Sequence, residues 1–156
     1  MGDMDVTGGL DGPEMGLAGA VAGNDWRALD VPDMGAWRPT LRVSVVIPCY
    51  QGQDELALTF AALAAQTYPG DLFEVVVADD GSSPPIPVPP GAPFEARVVA
   101  QVHDGFGLAR ARNLGAAAAT GEVLIFLDCD MVPEPGLVGA HARWHHVADR
   151  ALTLGF

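Results

Sequence analysis

The chain has 156 residues, of which 49% are hydrophobic, and a formal net charge of −12. That length suits one domain with a usable core, and the apolar share excludes a disordered acidic protein. The charge argues against a nucleic-acid partner or an anionic membrane surface. All eight basic residues are arginine, which excludes lysine Schiff-base chemistry and a P-loop lysine. Two cysteines, Cys49 and Cys129, are too few for a disulfide scaffold. They indicate two reduced core residues in a cytoplasmic setting. No apolar stretch reaches the roughly 18–20 residues needed to span a bilayer, although a longer parent protein could carry one and be membrane-associated.

In chain order, residues 1–40 are rich in Gly, Asp, Met and Pro without a sustained period. They read as a mostly flexible leader, in which Trp26 and Trp37 either dock onto the domain or, the favoured reading, cluster locally. The ordered domain is expected over 41–156. Val43 to Ile47 is a β-branched run closed by Pro48, the pattern of a buried parallel strand. Asp54 to Gln66 has helical apolar spacing at Leu56, Phe60 and Leu63, and Tyr68-Pro69-Gly70 stops it. Phe73 to Ala78 is a second buried strand, ended by Asp79-Asp80-Gly81. The stretch SSPPIPVPPGAP can only be a loop. Arg97 to Val102 is a third strand, Leu108 to Ala119 an Ala-rich helix, and Val123 to Leu127 a fourth strand. A helix follows Pro135 through His146, and Ala151 to Phe156 is expected to start a fifth strand.

Strands alternating with helices predict an α/β fold, a mostly parallel sheet with helices on both faces. Ligands bind such sheets beyond the carboxyl ends of the strands. That rule gathers Pro48-Cys49-Tyr50, Asp79-Asp80-Gly81, His103-Asp104 and Asp128-Cys129-Asp130 along one edge. So many carboxylates at one edge call for a cation. In an extended chain Asp128 and Asp130 share a side and Cys129 takes the other. Read alone, that pair is either half of an oxygen cage for Mg2+ or Mn2+ or a helix cap plus a turn acid before Pro133-Glu134-Pro135.

The blocks VSVVIPCYQGQDELALTFAALAAQTYP, FEVVVADDGSS and GLARARNLGAAAATGEVLIFLDCDM occur in that order. Together they resemble the family 2 glycosyltransferases, inverting nucleotide-sugar enzymes of the GT-A (Rossmann-like) fold, from about Leu41 to Trp144. The resemblance implies a nucleotide-sugar donor, UDP-linked by expectation, and a divalent cofactor, Mg2+ or Mn2+. It implies that Pro48 and Tyr50 border the base and that Asp80 hydrogen-bonds it, with Asp79 in a more structural role. It places Arg112 and Asn113 near the ribose and diphosphate. It makes Asp130 the direct metal ligand, and Asp128 the partner of the ribose or of metal-bound water. The usual asparagine after the first-loop tyrosine is Gln51 here. The family's general base lies in a second half that follows the D-x-D. The chain therefore reads as a donor-binding half, incomplete at its C-terminus, for an acceptor of unknown class. The alternative is a catalytically silent nucleotide-binding or interaction module.

Other signals are weaker. GFGLAR, residues 105–110, is an imperfect dinucleotide fingerprint with Arg110 at the third position. His141 and His145 stand one helical turn apart, as a metal pair or as ordinary polar residues. Arg110 and Arg112 do not share a helix face, so only Arg112 is expected to reach phosphates.

Overall fold

The structure is a computed structural model that describes residues 25–148 and 150–155. Four strands, β1 (Val43–Cys49), β2 (Phe73–Asp79), β3 (Glu95–Ala100) and β4 (Val123–Phe126), form one parallel sheet in the order β3-β2-β1-β4. The helices are α1 (Gln53–Ala64), α2 (Leu108–Ala118) and α3 (Leu137–His145). The chain leaves β1 toward β2 and β3, then α2 returns it to the opposite flank of β1. The strand order therefore reverses between β1 and β4, the place where open α/β sheets leave a crevice at their carboxyl ends.

Central strands of such a sheet must be apolar on both sides. All seven residues of β1 and all seven of β2 are buried. Odd-numbered residues (Val43, Val45, Ile47; Val75, Val77; Val123, Ile125) pack with Leu56, Phe60 and Leu63 of α1 and with Val138 and Ala142 of α3. The opposite face is covered by α2, which packs on β1, β2 and β3. It can lie close because Gly115 faces the strands; a Cβ there would stand 2.4 Å from Val46 Cγ1. Among the described residues no helix covers β4 on that side, and Leu124 and Phe126 are 41% and 49% exposed.

Pro48, which has no N–H to donate, sits where the β1–β4 ladder ends. Val46 O accepts from Leu127 N–H at 3.0 Å and Cys49 O from Asp80 N–H at 2.9 Å. Even-numbered backbone groups of β1 therefore face β4, and the Val46–Phe126 pair is the last before Pro48 would have to donate.

The amino edge of the sheet is tied by a buried carboxylate. Glu74 accepts from Ser44 Oγ (2.6 Å), Thr120 N–H (2.7 Å), Thr120 Oγ1 (2.9 Å) and Arg97 Nη1 (2.6 Å). Burial opposes its ionisation, but these donors outweigh it and lower its pKa to about 2. Ser44 Oγ in turn accepts from Gly121 N–H at 2.8 Å. The network joins β1, β2, β3 and the turn before β4.

Some boundaries differ from the sequence expectation. β3 runs Glu95–Ala100 rather than Arg97–Val102, because its pairing with β2 begins at Glu74–Glu95 and ends at Asp79–Ala100. The expected fifth strand is not formed over 150–155. Leu152 and Leu154 stay exposed, and Thr153 Oγ1 instead meets His141 Nδ1 at 2.7 Å. Residues 1–24 of the expected leader lie outside the described residues. Trp26 and Trp37 are docked, not locally clustered: Trp26 meets Trp144 edge-on at 6.0 Å, and Trp37 packs on the core, its ring 4.8 Å from His146 and 6.0 Å from Tyr68. No helix is long and apolar enough to cross a membrane among the described residues.

Candidate functional site

The carboxyl ends of β1, β2 and β3 and the start of α2 meet around Asp80. Pro48 is buried, and Tyr50, just past β1, is 48% exposed. Gln51 follows at φ 56°, a left-handed conformation that suits the family's usual asparagine better than glutamine. Ser82 Oγ holds it by accepting from Gln51 N–H at 2.8 Å. Asp79 shapes the same loop: its carboxylate accepts from the N–H groups of Ser82 (2.8 Å) and Ile86 (3.4 Å).

Asp80 is 5% exposed. One carboxylate oxygen accepts from Gln101 Nε2, and the other lies 3.1 Å from His103 Nδ1. The Gln101 bond, reinforced by His103, outweighs burial and lowers its pKa. It is therefore an ionised acceptor at neutral pH. Gly107, the residue before α2, lies directly against it; a Cβ there would come within 2.3 Å of Asp80 Oδ1. No side chain fits between the carboxylate and the positive end of the helix dipole. Arg110 turns to this cluster, with its guanidinium 4.0 Å from Asp80 Oδ1 and 3.3 Å from Asp104 O.

Arg112 points elsewhere, as the two-residue offset on a helix requires. Its Nη2 donates to Asp128 Oδ1 at 2.6 Å. The pair spans from the first turns of α2 to the loop after β4, at the flank of β1 where the strand order reverses. Asn113 is exposed beside it.

The D-x-D itself is not a strand. β4 ends at Phe126, one residue before the expected boundary, and Met131 N–H bonds Asp128 O at 3.2 Å in a turn. Side-chain burial nevertheless alternates through it: Leu127 is buried, Cys129 half-buried, and Asp128 and Asp130 exposed. Thr59 of α1 fixes the turn, its Oγ1 lying 2.7 Å from Cys129 O and 2.8 Å from Met131 O. Cys129 meets Cys49 across the β1–β4 boundary. A Cβ on Gly52 would be 3.2 Å from both sulfurs. The Cys49 thiol donates to Gly52 O at 3.6 Å, and the adjacent Cys129 side chain, then burial, pushes its pKa up.

Asp130 has no hydrogen bond or ion pair among the described residues, whereas Asp128 is already held by Arg112. No group of three His, Cys, Asp or Glu able to hold a metal forms among the described residues. Two exposed carboxylates do fit a hard divalent ion that completes its shell with water and phosphate oxygens. They do not form a closed cage. His141 Nδ1 lies 2.7 Å from Thr153 Oγ1.

Sequence reasoning placed His103 on the edge but gave it no role, and it missed Gln101 and Thr59. Thr59 carried a signal, a polar residue on the buried stripe of α1 with Leu56, Phe60 and Leu63. Gln101 carried none, because it reaches Asp80 only through the β2–β3 pairing.

A parallel sheet with a Gly-entered helix, a buried acid and a D-x-D at its strand-order reversal is an open α/β sheet with its ligand crevice at the strand carboxyl ends. The glycosyl transferase family 2 model matches residues 44–155. The chain belongs to that family. It is 38% identical over 117 residues to chondroitin synthase of Escherichia coli, covering 72% of this chain and 17% of that one. It is 37% identical over 119 residues to validoxylamine A glucosyltransferase of Streptomyces hygroscopicus subsp. limoneus, covering 71% and 26%. The chain thus spans less than a third of these curated relatives. Among solved structures it is similar to the mannosyltransferase PcManGT from Pyrobaculum calidifontis in complex with GDP-Man and Mn2+. The TM-score is 0.59 and the identity 25%, covering 75% of this chain and 35% of that one. S. aureus TarS 1-349, in complex with UDP-GlcNAc, shares the fold at TM-score 0.57 and 23% identity, covering 68% and 31%.

Proposed function

We propose that this chain is the donor-binding half of an inverting glycosyltransferase that takes a UDP-sugar. The observation that carries the reading is the Arg112–Asp128 pair at the strand-order reversal, with Tyr50 and Asp80 along the same edge. Pro48 and Tyr50 border the base. Asp80, ionised and acceptor-only, suits the single imide N–H of uracil. Arg112, with Asn113 beside it, directs a guanidinium fork to the diphosphate. Asp128 contacts the ribose or metal-bound water, and Asp130 is the carboxylate left free for the cation. A bound Mg2+ or Mn2+ would supply charge neutralisation to the departing diphosphate. Arg112 adds preorganised positive charge at the same place. The acceptor hydroxyl would attack the anomeric carbon from the opposite side, and no residue of this chain is assigned as its base.

Arg112→Ala tests the phosphate assignment. Losing a charge-assisted bond of about 1.5 kcal/mol should weaken UDP binding about tenfold. Uridine, lacking phosphates, should bind as before. Calorimetry with both ligands in Mn2+ checks this. An equal loss for UDP and uridine would place Arg112 away from the diphosphate. GDP titrated alongside tests the base preference, and it should bind more weakly than UDP.

A further inference from the structure

His103 makes the contacts that a bound base would make. Its ring lies flat on Tyr50, with centroids 4.1 Å apart and planes 9° from parallel. Its Nδ1 is 3.1 Å from Asp80 Oδ2 and 3.1 Å from Asp80 O. Both partners are acceptors, so Nδ1 carries the proton. A planar ring that stacks on Tyr50 and offers a ring N–H to Asp80 is the chemistry of a pyrimidine base with its imide N–H. We infer that the His103 imidazole occupies the base position of the site and that a nucleotide must displace it to bind.

Displacement, rather than addition of the base beside His103, follows from Asp80. Gln101 and His103 each contact one of its carboxylate oxygens, and the residue is almost fully buried. A base stacked on Tyr50 would overlap the His103 ring, which already covers Tyr50 and contacts Asp80 Oδ2. The backbone cannot supply the movement. Gln101 N–H bonds Asp79 O at 3.0 Å, and a Cβ on Gly81 would stand 2.6 Å from His103 N, so the two segments run tightly together. The side chain can move, since 36% of it faces solvent. The release is a rotamer change about a fixed main chain, which is fast on the timescale of ligand binding. Its consequence is a lowered apparent affinity. If the closed rotamer holds about nine-tenths of the population, binding is weakened about tenfold. The reading rests on the placement of the base at Tyr50 and Asp80 proposed above.

The test is calorimetry on the full chain in Mn2+, with UDP, uridine and inorganic pyrophosphate as probes. His103→Ala should bind UDP and uridine about tenfold more tightly and pyrophosphate unchanged. Adding Tyr50→Ala to that variant should then weaken UDP again. If His103→Ala brings no gain while Tyr50→Ala in its background weakens UDP, the base site stands and the displacement is overturned. If neither substitution changes UDP binding, the base lies elsewhere and both readings fall. An NMR spectrum of the unmodified protein gives an independent readout. The His103 ring protons should be shifted upfield by the Tyr50 ring current and lose that shift at saturating UDP. An upfield shift that persists with UDP bound would overturn the inference.

Discussion

Asp130→Ala should reduce UDP affinity in Mn2+ to the level the unmodified chain shows in EDTA, a loss on the order of a hundredfold. Outer-shell partners of a bound metal are commonly worth about 10- to 100-fold, and a direct ligand should lie at the top of that range. The geometry singles out Asp130. Arg112 already holds Asp128 at 2.6 Å, so Asp128 enters any metal shell against a competing cation. Asp130 is exposed, has no ion pair among the described residues, and sits in a turn that Thr59 holds in place. The substitution removes nothing from the core, so stability should change by less than about 0.5 kcal/mol. Asp128→Ala should cost less, because it frees Arg112 for the phosphates. Equal losses at the two positions would contradict this division of roles, as would a metal-dependent affinity that survives Asp130→Ala.

The second large effect lies at the opposite end of the sheet. Glu74→Ala should destabilise the domain by about 3–5 kcal/mol, the usual result of removing one partner of a buried ion pair. Arg97, Ser44 and Thr120 would all lose their acceptor. Urea unfolding of the purified chain measures it. The same carboxylate sets an acid limit. Its pKa falls from 4.5 in the unfolded reference to about 2 in the fold. A depressed carboxylate stabilises the fold fully above its unfolded pKa, and the contribution is lost as pH falls through the folded value. The native protein should therefore lose stability between about pH 4.5 and pH 2. Glu74→Gln should flatten the slope in that window. An unchanged slope would assign the acid limit to other carboxylates.

The sheet was legible in the sequence because its strands are buried on both faces. Val43 to Ile47 and Phe73 to Ala78 are Val-rich runs and strands form there, but β1 continues through the expected stop at Pro48 to Cys49 and β2 continues to Asp79. The carboxyl-edge rule then placed Tyr50, Asp80 and Asp128 together without any side-chain information. What escaped was pairwise and non-local. Glu74 sits in an apolar run, and only the fold brings Arg97 and Thr120 to it. His103 was placed on the carboxyl edge, but its contact with Asp80 emerges only when β3 pairs with β2. Trp26 and Trp37 were masked by the Gly- and Pro-rich composition around them, yet each finds an aromatic partner across the chain. The apolar spacing of Ala151 to Leu154 suggested a strand; at the edge β4 is short, and Thr153 found His141 instead of a ladder.

The most direct test of the account is a pair of calorimetric titrations of UDP into the unmodified chain, one with Mn2+ and one with EDTA. The account predicts binding in Mn2+ and an affinity at least about tenfold lower in EDTA, because the two D-x-D carboxylates need the cation to hold a diphosphate. UDP binding equally well in both, or in neither, would contradict it.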